Sequence, residues 1–328
     1  MKTVASAPLF VVAPGPHLSE RRSVPGIMWS VTAALVPAWV CSVLVFGFRA
    51  LLIECIAIAS AVATEAVIQK ARGVRVTVSD GSAFLTGLLL AFCISPAVPL
   101  WLPAVGSAFG IAVAKQAFGG LGCNIFNPAL AGRTFVMHSW LTNMTQWVPP
   151  LGAGGVDALT YATPLGAAKN AVAQWMPGGP GGLTDLDLFL GNTGGSIGET
   201  SALALLAGGV FLLALGYITW EIPVSFIGMV ALLTWLLPSS AGRIALSPLE
   251  HMLSGGLFLG AFFMATDMVT SPLTGKGKLL FGCGCGALTS LIRLYGGFPE
   301  GVCYSILIMN AFTPLIDHYL RPPAFGTR

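Results

Sequence analysis

Ten apolar stretches run along the chain, at 27–48, 51–69, 82–98, 100–118, 125–138, 200–219, 222–237, 249–268, 279–294 and 302–320. Several approach the roughly 20 residues a helix needs to cross a bilayer. In lipid every backbone polar group must be satisfied internally, so such stretches predict helices. The shorter ones predict broken or tilted spans, and Pro96, Pro99 and Pro103 interrupt the third and fourth. The longest polar gap is the Gly-rich segment 139–198. The pattern predicts five parts: an arm over 1–26, a first set of spans over 27–138, a loop over 139–198, a second set over 199–320, and a tail over 321–328. The arm is polar and broken by proline. It lacks a small-residue cleavage site after an apolar core, so the expectation is a cytoplasmic arm and not a signal peptide.

Composition sharpens the class. Hydrophobic residues make up 55%, charged residues 9%, and mean hydropathy is +0.81. A soluble domain carries about a quarter charged residues. The reading is an all-α integral membrane protein of about ten transmembrane helices. The 41 glycines suit a packed bundle, because small residues let membrane helices approach closely. A net charge of +3, spread along the chain, supplies no nucleic-acid patch.

Basic residues orient the bundle. With a cytoplasmic N-terminus, Lys2, Arg21, Arg22, Lys70, Arg72, Arg75, Lys115, Lys276, Lys278, Arg321 and Arg328 fall inside, eleven of sixteen. Both termini are then cytoplasmic and the 139–198 loop extracytoplasmic, periplasmic in a Gram-negative cell. The halves also look alike. Gly119-Gly120, Cys123 and Asn127 are echoed by Gly296-Gly297, Cys303 and Asn310, and Ser82–Gly87 by Ser254–Gly260. Five spans per half is an odd number, so the expectation is two inverted five-helix repeats with a site between them.

Candidate chemistry sits in the loop and at span ends. Thr163 is placed to cap a short helix running from Pro164 to Gln174, with Pro164 at the first position, where its missing N–H costs nothing. That geometry allows two readings, a plain cap or a phosphate site at a helix N-terminus. Asn124 and Asn127 open the fifth span, and their amides both donate and accept, which suits the edge of a flat heterocycle. For Asn124 the plain reading is a helix cap, and for Arg133, a turn or two on, an internal pair or a reach to the interface; the other reading gives both a ligand role. Buried carboxylates in spans are expensive and mark ion or proton paths. Glu65, Asp267 and Asp317 are the path candidates, with Glu54 a further carboxylate in a span. Seven cysteines without a CxxC predict neither a disulfide framework nor a metal site. The four histidines show no haem-pairing spacing, and no GxGxxG opens a helix after a strand.

Three ordered motifs carry a resemblance. The run Gly119-Gly-Leu-Gly-Cys-Asn124-Ile-Phe-Asn127-Pro128-Ala-Leu-Ala-Gly-Arg133, the run Thr160-Tyr-Ala-Thr163-Pro-Leu, and the run Ala265-Thr-Asp267-Met-Val-Thr-Ser-Pro272 are similar to signatures of the NqrB/RnfD family. Length and the short arm resemble its Rnf D-subunit branch. The resemblance implies ten helices in two inverted halves and covalent FMN, joined by a phosphodiester at Thr163. Tyr161 stands where the family usually has Gly. It further implies a non-covalent riboflavin near Asn124 and Asn127. It implies partner subunits holding FMN and iron–sulfur centres, electron flow between ferredoxin and NAD, and movement of sodium ions or protons across a bacterial inner membrane. The competing class is a non-redox channel or secondary transporter built from inverted repeats.

Overall fold

The computed structural model describes residues 23–150, 163–169, 184–191, 193–199, 201–237, 246–297 and 300–321. Its regular elements are helical. Ser23 caps α1 (Val24–Phe46), its hydroxyl accepting from Gly26 N–H at 3.3 Å. Gly47, at φ 74°, turns the chain directly into α2 (Phe48–Ala71), a reversal that only a residue without Cβ makes freely. Then come α3 (Ser82–Phe92), α4 (Trp101–Phe109), α5 (Pro128–Ser139) and α6 (Leu141–Met144). Short helices α7 (Pro164–Lys169) and α8 (Asp185–Leu190) follow. The remainder is α9 (Ala202–Ala214), α10 (Glu221–Leu236), α11 (Pro248–Leu253), α12 (Leu257–Leu259), α13 (Gly275–Leu294) and α14 (Val302–Tyr319). By length and composition α1, α2 and α13 are each able to cross a membrane.

The shorter spans depart from the sequence pattern in informative ways. The third apolar stretch is helical only to Phe92, and the chain then turns through 93–100 inside the bundle. Eleven residues at 1.5 Å each reach about 16 Å, half of a bilayer core. Arg49 holds that turn, its guanidinium donating to the carbonyls of Pro96 at 2.8 Å and Val98 at 3.0 Å. Pro103 does not break the fourth span. It lies in the first turn of α4, where proline is tolerated. α4 instead continues as a wider π-helical segment, Gly110–Gln116. The eighth stretch is not one helix. α11 stops at Leu253, the chain bends at 254–256, and α12 continues as a second π segment, Gly260–Met264. Irregular backbone at this depth persists only where protein buries it or a cavity lines it.

Small residues bring the helices together. A Cβ on Gly87 would lie 2.7 Å from Ile58 Cα, on Gly208 it would meet the Ala34 carbonyl, and on Gly132 the Gly106 carbonyl. These contacts clamp α3 to α2, α9 to α1 and α5 to α4. Large apolar side chains such as Leu44 and Trp235, each 72% exposed, point outward. The core lies where α3, α5 and the α12 segment meet, around Leu90, Phe92, Leu130 and Leu257.

Candidate functional site

Two cavities flank this centre. The inner one lies between the start of α3, the 117–127 turn, the end of α9 and the backbone after α12. Asn124, Asn127, Lys115, Thr266 and Asp267 line it. Asn127, not Asn124, caps a helix: its Oδ1 accepts from Ala129 N–H at 3.0 Å and Leu130 N–H at 3.3 Å, opening α5. Its amide also donates to the Met264 carbonyl at 3.3 Å, tying the two halves of the chain together. Asn310 adds to that tie when its amide is turned to accept from Asn127 N–H at 3.2 Å.

Asn124 is different. It is 6% exposed, its amide donates at 3.4 Å to the Phe126 carbonyl, and its Oδ1 is buried without a partner. An orphaned buried acceptor costs free energy, so it points to a donor from something that fills the cavity. Asp267 stands beside it, accepting from Thr270 Oγ1 at 3.1 Å.

Lys115 is counted with cytoplasmic loop charges by the sequence pattern, but it is 1% exposed inside the bundle. Its Nζ lies 2.8 Å from Glu65 Oε1 and donates to Ser82 Oγ at 2.6 Å. Glu65 is therefore one side chain behind the cavity wall, held also by Gln116 at 2.8 Å. Asp317 is away from the cavity. It accepts from Leu273 N–H at 3.0 Å and closes the turn ahead of α13.

The outer cavity is lined by Thr163, Pro164 and Leu165 together with Glu199, Ser254 and Glu300. Thr163 is buried, and its Oγ1 accepts from Gly166 N–H at 3.1 Å, so the expected cap is present. The described helix ends at Lys169, and the rest of the stretch to Gln174 lies outside the described residues, as does Tyr161. Ser254 Oγ and Glu300 Oε1 are buried here without partners. Arg133 lies between the cavities and lines neither. It donates to the Cys93 carbonyl at 2.8 Å and pairs with Glu300, the internal ion pair of the plain reading. Glu199, in the turn ahead of α9, is pushed up to about 8 by its enclosed position and by the Glu300 carboxylate, against a smaller pull from Arg133.

Of the sequence-derived residues, Asn124, Asn127 and Asp267 come together at the inner cavity, with Glu65 behind it. Thr163 and Pro164 form the outer one, and Arg133 and Asp317 join neither. Lys115, Glu199, Ser254 and Glu300 were missed. A basic residue inside an apolar run was a signal for Lys115, while Glu199 and Glu300 lie in loop-like sequence that marks no site and Ser254 was read only as part of the repeat in the eighth stretch.

A family model described as the NQR2, RnfD, RnfE family matches residues 11–326. The chain is 52% identical over 323 residues to the D subunit of the proton-translocating ferredoxin:NAD(+) oxidoreductase complex of Clostridium ljungdahlii, covering 98% of this chain and 97% of that one. It is 46% identical over 319 residues to the D subunit of the Na(+)-translocating ferredoxin:NAD(+) oxidoreductase complex of Acetobacterium woodii, covering 96% and 95%. The D subunit of the ion-translocating oxidoreductase complex of Cronobacter sakazakii is 39% identical over 354 aligned positions, covering 98% and 100%.

Proposed function

Because the chain belongs to the NQR2, RnfD, RnfE family, we propose that it is the membrane-embedded D subunit of an ion-translocating ferredoxin:NAD oxidoreductase complex, carrying FMN on Thr163 and riboflavin in the inner cavity. It works within a multi-subunit assembly, with partners that hold the NAD, ferredoxin and iron–sulfur chemistry. The observation that carries the reading is Thr163. Its Thr-Pro pair resembles the family's, and it lines a cavity with two buried oxygens, Ser254 Oγ and Glu300 Oε1, that lack partners.

The residues present fit both flavins. At the outer cavity Ser254 Oγ and Glu300 Oε1 are free to accept from the hydroxyls of a ribityl chain, and Glu300 is charge-balanced by Arg133. At the inner cavity the orphaned Asn124 Oδ1 would accept from a flavin ring N–H. A bound flavin supplies one- and two-electron chemistry, while this chain's side chains position it and set the local field.

We further propose ten spans in two inverted repeats, α1–α5 and α9–α14, in a bacterial cytoplasmic membrane, with both termini inside and Thr163 outside. Paired details support the repeat. Lys115, four residues ahead of Gly119-Gly120, is bound to Ser82 at the start of α3. Arg293, three residues ahead of Gly296-Gly297, donates at 3.1 Å to the carbonyl of Ser254, just ahead of α12.

Flavin fluorescence after denaturing electrophoresis tests the assignment. The wild-type band should fluoresce and the Thr163→Ala band should be dark. A fluorescent Thr163→Ala band removes Thr163 from the role, and a colourless purified wild type favours a non-redox transporter.

A further inference from the structure

Glu54 lies in the second turn of α2 and has no solvent exposure. Two oxygens and one nitrogen form a compact group around it. Trp39 Nε1 donates to Glu54 Oε2 at 2.6 Å. Ser42 Oγ lies 2.8 Å from Glu54 Oε1 and 2.7 Å from the Trp39 carbonyl oxygen. A serine hydroxyl carries one hydrogen, so it can serve only one of those two acceptors. If Glu54 were ionised, one of the two short oxygen–oxygen contacts would hold no hydrogen between two lone pairs. One added proton resolves the conflict. Glu54 Oε1–H then donates to Ser42 Oγ, Ser42 O–H to the Trp39 carbonyl, and Trp39 Nε1–H to Glu54 Oε2. Every hydrogen is used once and the ring closes.

Charge leads to the same assignment. α1, α3 and α4 carry no charged side chain. Arg49, on α2 itself, spends its guanidinium on the carbonyls of Pro96, Ala97 and Val98. Lys115 is committed to Glu65, eleven residues further along α2 and about 16 Å away. Among the described residues no Lys or Arg pairs with Glu54. An isolated carboxylate in an apolar interior is costly, whereas a hydrogen-bonded neutral acid is not.

We propose that Glu54 is a proton-binding site within the membrane, protonated in the resting protein and unable to hold sodium. A sodium ion needs several oxygen lone pairs facing it, but the indole N–H of Trp39 occupies one carboxyl oxygen and is a donor only. This deepens the ion-translocating reading by naming the proton as occupant, and it does not depend on flavin attachment at Thr163.

Infrared spectroscopy of the purified complex tests it directly. Alongside any acid band from Glu199, the wild type should carry one protonated carboxylic acid C=O stretch that disappears in Glu54→Gln, seen in the wild-type-minus-variant difference spectrum, with the carboxylate bands unchanged. Ser42→Ala should keep the band and shift it, since the acid loses its acceptor. Replacing choline chloride with sodium chloride should leave the band in place. In thermal melts Glu54→Gln should match the wild type, because an amide reproduces the ring, while Glu54→Ala should melt lower. Loss of a carboxylate band in Glu54→Gln, sodium-dependent bleaching of the acid band, or Glu54→Gln melting as low as Glu54→Ala would each overturn the proposal.

Discussion

Lys115 and Glu65 form an ion pair 2.8 Å long, with side chains 2% and 1% exposed, between the π segment after α4 and the last turns of α2. Ser82 and Gln116 complete the shell, so neither charge faces lipid alone. Breaking such a pair from one side leaves an uncompensated buried charge, at a cost of about 3–5 kcal/mol. Lys115→Met and Glu65→Gln should each lower the melting temperature strongly in detergent. The double variant should fall by less than their sum. Additive losses would mean that the two side chains do not act as a pair.

Asn124 and Asn127 are three residues apart and do different work. Asn127→Ala removes the cap of α5 and the bond to the Met264 carbonyl, so it should destabilise the protein by about 1–2 kcal/mol. Asn124→Ala removes an acceptor that nothing in the chain uses along with amide contacts to the Phe126 carbonyl and Asp267, so it should fold and lose less stability than Asn127→Ala. Its effect should appear as loss of the flavin released from purified protein by denaturation. Normal non-covalent flavin in Asn124→Ala would take that side chain out of the inner site.

Glu199 gives the protein a pH signature. Its folded pKa of about 8 is above the ordinary carboxyl value of 4.5, because the site is enclosed and Glu300 lies close by. Between those values the folded state binds a proton that the unfolded state has lost. Its stabilising contribution is thus complete below about pH 4.5, falls as pH rises through the window to about 8, and is absent above it. Thermal melts across this window should show wild-type stability declining, with the decline reduced in Glu199→Gln. An unchanged slope in the variant would rule out Glu199 as the source.

Gly132 packs against the Gly106 carbonyl and Leu90 where α5 crosses α4. A methyl group there overlaps backbone that cannot rotate away, so Gly132→Ala should cost about 1–3 kcal/mol. Denaturation in detergent would measure it. A neutral result would show that the two helices separate easily.

Much of this was legible in the residues. Apolar runs pointed to helices, and the Thr-Pro pair placed a helix start at Pro164, whereas the fifth span begins at Pro128, three residues later than its apolar run. The break after the third span was legible in Pro96 and Pro99, though not the clamp that Arg49 puts on its carbonyls. The break in the eighth was not legible. Span eight reads as continuous, yet it is divided at Gly255, which has φ 71°. Lys115 looked like a loop charge because its partner Glu65 is 50 residues earlier in the chain. The outer cavity was hidden for a related reason: Glu199, Ser254 and Glu300 come from three separate connections and meet only in the folded bundle.

The central claim concerns one hydroxyl, and the mass of the peptide that carries it is the most direct test. In protein matured together with its own complex, the fragment containing Thr163 should be heavier than its sequence by FMN less one water, and the Thr163→Ala fragment should have its bare mass. A wild-type fragment at the mass of the unmodified polypeptide would contradict the account.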